Sequence, residues 1–126
     1  MRLMRIYQKK TREQYKYEVE RRKVKKNIEY EHMYLLSNAD QRERIDELSN
    51  LIVDAVCSKG ATIRACGEDI PIDVVKERFL QLRREDLEYV MECMERNTTQ
   101  IKNIKSYLLT ALYNAPITKG HSIRHQ

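Results

Sequence analysis

Apolar residues recur at three- and four-residue spacing along most of the chain, the period of one buried face of an α-helix. From Thr11 to Leu36 no Gly or Pro intervenes, and Glu, Lys, Arg and Gln dominate, all good helix formers. The pattern predicts one long helix there, about 26 residues and roughly 39 Å in length. Tyr17, Val24, Ile28 and Leu35 fall near one of its faces, with Tyr15 and Val19 offset. A small domain cannot cover every turn of such a helix, so its first half is expected to project or to pack on another copy. Ser37-Asn38-Ala39-Asp40 is a break with N-cap chemistry at Asn38 or Asp40, and Glu43 lies three after Asp40 as in a capping box. The helix that follows runs to about Ser58. Ile45, Leu48, Leu51, Ile52, Ala55 and Val56 give it an apolar face, and Lys59-Gly60 is the expected stop.

Over Ala61–Pro71 the period changes. Thr62-Ile63-Arg64-Ala65-Cys66, then Gly67-Glu68-Asp69 and Ile70, read as a short β-hairpin with glycine admitting positive φ at the turn. Pro71-Ile72-Asp73 opens another helix, with Val74, Val75, Arg78, Phe79 and Leu82 at helical spacing. Phe79, the only Phe, is the expected centre of the core. Arg83–Asn97 is a further helix with Leu87, Val90, Met91 and Met94 inward. Glu85, Asp86 and Glu88 stand in its first turn, where the helix dipole favours negative charge. The last predicted helix is Thr98–Pro116, capped by Thr98 or Thr99 and stopped by Pro116. Ile101, Ile104, Leu108, Ala111, Leu112 and Ala115 form its stripe, Lys102 and Lys105 flank it, and Tyr107 and Tyr113 suit its edge. The fold class is therefore mainly α: a compact helical domain of about five helices with one short β-hairpin and a long basic N-terminal helix. It occupies residues 11–116, between a frayed 1–10 and a disordered tail at 117–126.

Composition supports this architecture. A chain of 126 residues has little room for a second core. Charged residues make up 34%, aromatics 7%, and there are 3 Gly and no Trp, which disfavours a β-sandwich or a glycine-rich α/β fold. No apolar run approaches the roughly 20 residues that span a bilayer, and no signal peptide is visible, so a cytoplasmic protein is expected. Cys57, Cys66 and Cys93 are odd in number and widely spaced, as expected of buried reduced thiols.

Charge changes the picture more. The net charge of +5 hides an asymmetry: residues 1–26 hold 11 Lys/Arg and 3 Asp/Glu, a balance of +8, while the remainder is at −3. A polyanion would be met at that end. The competing explanation for Lys9–Lys26 is an ordinary solvated helix face.

No catalytic constellation is evident. The His residues are His32, His121 and His125, and no base is placed to activate a Cys or Ser. His121 and His125 have zinc-like spacing but no Cys pair to accompany them. The glycines form no phosphate-cradling loop, and the neighbouring carboxylates Asp46–Glu47 and Glu85–Asp86 point to different helix faces. The expectation is a protein that is not an enzyme and that holds no metal or cofactor.

Several separated motifs share one order with a known family. Lys102-Asn103-Ile104-Lys105-Ser106-Tyr107-Leu108-Leu109-Thr110-Ala111-Leu112-Tyr113-Asn114-Ala115-Pro116 closely resembles the end of the small C-terminal domain of replication initiator A proteins of plasmids and conjugative elements. The resemblance runs back through Asn97-Thr98-Thr99, Glu88-Tyr89-Val90-Met91-Glu92-Cys93 and Asp73-Val74-Val75-Lys76-Glu77-Arg78-Phe79-Leu80. Beyond these it reaches Ile63-Arg64-Ala65-Cys66-Gly67-Glu68-Asp69 and Asn27-Ile28-Glu29-Tyr30-Glu31, covering roughly residues 14 to 118. After Pro116 this chain lacks the Tyr-rich segment with which the family usually continues. More distantly, Ile101, Asn103, Tyr107, Leu108 and Leu112 resemble the end of DnaD-type primosomal domains, without their characteristic Trp.

The resemblance implies an accessory DNA-binding and assembly domain of a replication initiator. Origin recognition is attributed in that family to a separate winged-helix domain, so contact here would be non-specific and phosphate-driven. The candidate contacts are Lys9, Lys10, Arg12, Lys16, Arg21, Arg22, Lys23, Lys25 and Lys26 on the first helix, Arg64 on the hairpin, and Lys102, Lys105 and Tyr107 on the last helix. The partners expected are DNA and replication proteins, with a homodimer through the N-terminal helix and no membrane. The alternative is a pure protein-interaction or dimerisation module whose Lys and Arg side chains only keep it soluble.

Overall fold

The structure, a computed structural model, describes residues 10–96 and 102–124. The expectations for the first nine residues, for Lys9, and for the caps Thr98 and Thr99 and the stripe residue Ile101 lie outside the described residues. Along the chain come α1 (Arg12–Asn27), α2 (Tyr30–Leu35), α3 (Ala39–Val56), β1 (Thr62–Ala65), β2 (Glu68–Pro71), α4 (Ile72–Leu80), α5 (Arg84–Arg96) and α6 (Ile104–Arg124). The mainly helical class with one hairpin is as the periodicity predicts.

The single long first helix is corrected. It ends at Asn27, and Glu29 adopts the left-handed conformation, φ 53°, before α2 begins. No Gly or Pro marks this break, and a left-handed non-glycine residue costs about 1–2 kcal/mol. Packing offsets that cost. Ile28 is completely buried and Met33 nearly so, which a straight rod could not achieve on one small body. The Asn27 amide donates to the Leu80 carbonyl, 2.8 Å, at the end of α4, and Arg84 sits 3.6 Å from the Glu29 carboxylate. Nor does the first half of the helix project. It runs antiparallel along α3, where the Tyr17 hydroxyl donates to Asp54 at 3.3 Å, Lys59 pairs with Glu13, and the Tyr30 hydroxyl bonds Asp46. Burial and the Asp46 carboxylate push the Tyr30 phenol up to about 12. Thr11 starts α1 with a capping box, its hydroxyl taking the Gln14 N–H at 3.1 Å.

α3 also uses a capping box, but with Asn38 and Gln41 rather than Asp40 and Glu43. It stops at Val56, before the expected Lys59-Gly60. β1 and β2 pair Ala65 with Glu68 across a two-residue turn in which Cys66 (φ 56°) and Gly67 (φ 73°) are both left-handed. That is the turn whose twist matches a hairpin. The Cys66 N–H donates to Thr110 Oγ1 at 2.9 Å, fastening the tip to α6. Cys66 is exposed and Cys57 and Cys93 are half-buried, so the expectation of three buried thiols is corrected.

Phe79, Leu82, Leu87, Ile45, Leu48, Ile52, Leu108 and Leu112 fill the centre between α3, α4, α5 and α6, with Val24 and Ile28 closing it from α1. α6 runs through Pro116 to Arg124, correcting the expected stop at Pro116. A proline inside a helix removes one N–H and crowds the carbonyls a turn earlier. Here the Arg78 guanidinium donates to the Tyr113 carbonyl at 3.2 Å and lies 4.0 Å over the Tyr113 ring, supplying a donor beside the disrupted turn. The observed start of α6 is Asn103, whose side chain accepts from the Ser106 N–H at 3.1 Å. Ile104 is exposed, and Leu109 joins the buried face instead.

Candidate nucleic-acid interface

The basic character of α1 becomes a surface because only part of the helix is covered. Val24 and the half-buried Tyr17, Glu20 and Asn27 face the body. At 3.6 residues per turn, Arg12, Tyr15, Lys16, Val19, Arg22, Lys23 and Lys26 then fall within an arc of about 120° on the opposite side. All seven are exposed, and none is a carboxylate. The acids of α1 lie off this arc and are engaged: Glu13 with Lys59, Glu18 with Lys10, and Glu20 with Lys23 at 3.4 Å. Lys59 and Lys10 hold the Glu13 and Glu18 carboxyls below their ordinary values. Arg12, Lys16, Arg22 and Lys26 are in no ion pair among the described residues. From Arg12 to Lys26 the row spans about 21 Å at 1.5 Å per residue, the length of several consecutive phosphates.

The other predicted contacts are scattered. Lys10 is paired with Glu18, and Arg21 stands exposed off the arc. Lys25 lies 4.1 Å over the Tyr30 ring, in the wall of a hollow of about 600 Å³ that it shares with Arg22 and Lys26 of the arc and with Glu29, Glu31 and His32. Arg64 is paired across the hairpin with Asp69 at 3.2 Å. Lys105 shares an open hollow of about 400 Å³ with Arg64, between α3, the hairpin and the start of α6, over Leu51, Ile63 and Leu109. Lys102 is exposed just before α6, and Tyr107 is half-buried against the core. The structure thus brings Arg12, Lys16, Arg22, Lys23 and Lys26 onto one face. Arg64 and Lys105 lie elsewhere, beside each other. Tyr15 and Val19, absent from the sequence-based contact set, sit inside the cationic arc. Their offset from the Tyr17–Val24–Ile28 stripe was the available signal.

Among the described residues no three His, Cys, Asp or Glu side chains gather as metal ligands. No described helix is long and apolar enough to cross a membrane.

Residues 7–125 match a family of unknown function, DUF6017. The chain belongs to that family. The match takes in all the elements described above, the α1 face included. No curated protein and no solved structure matches the chain.

Proposed function

We propose that this chain is a non-catalytic accessory domain of a replication initiator, contributing non-specific DNA contact and assembly of a replication complex. The observation that carries the DNA contact is the acid-free arc of Arg12, Lys16, Arg22, Lys23 and Lys26 on a helix whose other side is fastened to the core. Point charges along one helix meet phosphates without reading bases, so affinity comes with little sequence choice. The initiator assignment rests on the resemblance of residues 14–118 to the C-terminal domain of that family. Four cations free of internal ion pairs imply about four neutralised phosphates and a log–log salt slope near −4 on duplex DNA. The test is fluorescence anisotropy with a labelled oligonucleotide. Raising salt from about 50 to 200 mM should weaken binding on the order of a hundredfold, equally for unrelated sequences. Absence of binding at the lower salt refutes the reading.

A protein-interaction module is the second reading, and one observation favours it. Tyr15 and Val19 are 56% and 44% exposed in the middle of the arc. Phosphates make no use of a valine, whereas a protein partner does.

A further inference from the structure

The structure also carries a surface of opposite character. On α5, Glu85, Glu88, Glu92 and Glu95 recur at intervals of three, four and three residues, which places them on one face, and all four are exposed. That face borders a groove of about 320 Å³ between α5 and the end of α2, with Met33, Leu36 and Met91 in its walls and Glu88, Glu92 and Glu95 along its rim. Leu36 in its wall and Leu35, next to it in the chain, are 76% and 75% exposed, the two most exposed large apolar side chains among the described residues. Arg84 offsets part of the acidity through Glu88, at 3.8 Å, while Glu92 and Glu95 are in no ion pair among the described residues.

Groove and arc are complementary in two respects. The groove offers carboxylates around exposed apolar side chains; α1 offers cations around Tyr15 and Val19. The arc lies on the side of α1 turned away from the core, and among the described residues its one ion pair is Lys23 with Glu20 on the same helix. We infer that the α2–α5 groove receives the outward face of α1 from a second copy of this chain. Tyr15 and Val19 would lie toward Leu35 and Leu36, and Arg22 and Lys26 toward Glu92 and Glu95. Opposite charges fix the register and raise the encounter rate, and removing the apolar surface from water supplies affinity. DNA and the second copy then need the same α1 face, so nucleic acid should dissociate the self-associated form. This inference goes beyond the DNA reading and stands without it.

The experiment is sedimentation equilibrium of the full chain at low and high salt, with circular dichroism to verify folding of each variant. Wild type should self-associate at about 50 mM salt and dissociate as screening increases. The pair Glu92→Lys and Glu95→Lys, and separately Arg22→Glu and Lys26→Glu, should each weaken association at least about tenfold through like-charge contact. Combining all four restores opposite signs at the wild-type net charge and should recover association. A general net-charge effect would instead strengthen association in Arg22→Glu with Lys26→Glu, whose net charge is lower than that of wild type. Glu92→Lys with Glu95→Lys should leave oligonucleotide binding undiminished, whereas Arg22→Glu with Lys26→Glu should lose it. A wild type that stays monomeric at low salt, association indifferent to the Glu92/Glu95 changes, or no recovery in the fourfold variant overturns the inference. Loss of DNA binding alone, with association and its charge dependence intact, refutes only the DNA reading.

Discussion

α1 and the start of α6 both present lysines that sequence alone marks as phosphate contacts, yet the structure makes them unequal. On α1 five cations share one arc, spread over about four turns, with the carboxylates of the same helix turned aside. At α6 only Lys102 and Lys105 are involved, at the end of the helix where the dipole already disfavours positive charge. Their cationic neighbour, Arg64, is occupied by Asp69. The difference teaches that the number of basic residues matters less than whether the fold leaves them aligned and unpaired.

The strongest way to break this comparison is charge reversal on the arc. Arg12→Glu, Arg22→Glu and Lys26→Glu together should weaken oligonucleotide binding by more than about a hundredfold near 50 mM salt and flatten the salt slope by about three. A smaller loss in the anisotropy titration would move the contact elsewhere.

The comparison also presumes that α1 is rigidly held, and two side chains at its end test that. Asn27→Ala strands the Leu80 carbonyl and should cost about 1–2 kcal/mol in urea unfolding. Tyr30→Phe deletes the bond to Asp46 and should cost about 1 kcal/mol. Because the folded-state pKa of Tyr30 is raised to about 12, the folded protein keeps this proton where the unfolded chain releases it. The associated stability is complete below about pH 10, the ordinary tyrosine value, and declines as pH rises toward 12. Thermal melts of Tyr30→Phe should lack that part of the alkaline decline.

The smallest effect sharpens the contrast from the other side. Lys102→Ala with Lys105→Ala should change oligonucleotide affinity less than about threefold and the salt slope by less than one. An effect equal to that of the arc would abolish the distinction between the two regions.

Much of this was legible beforehand wherever a burial pattern repeats. The core of α3, Phe79 at the centre, Leu87 and Val90 on α5 and the hairpin with Gly67 at its turn all follow from periodicity and turn chemistry, because burying a face at a fixed spacing leaves its mark in composition. Local signals failed where a neighbour outweighed them. Pro116 carries the strongest stop signal of the last helix, yet α6 continues, with Arg78 from α4 supplying a donor to the turn before it. Glu29 carries no break signal, yet the helix ends there, because burying Ile28 and Met33 and bonding Asn27 to Leu80 outweigh one left-handed residue. The basic excess of the first 26 residues was evident from their letters alone. Which cations face water together depends on which side of α1 meets α3, and that choice belongs to packing between segments distant in the chain. In this protein the sequence by itself determined where charge and apolar mass are stored, and tertiary contacts decided which of them are exposed side by side. A helix carries its residues all the way round, and only its neighbours select the face that is covered.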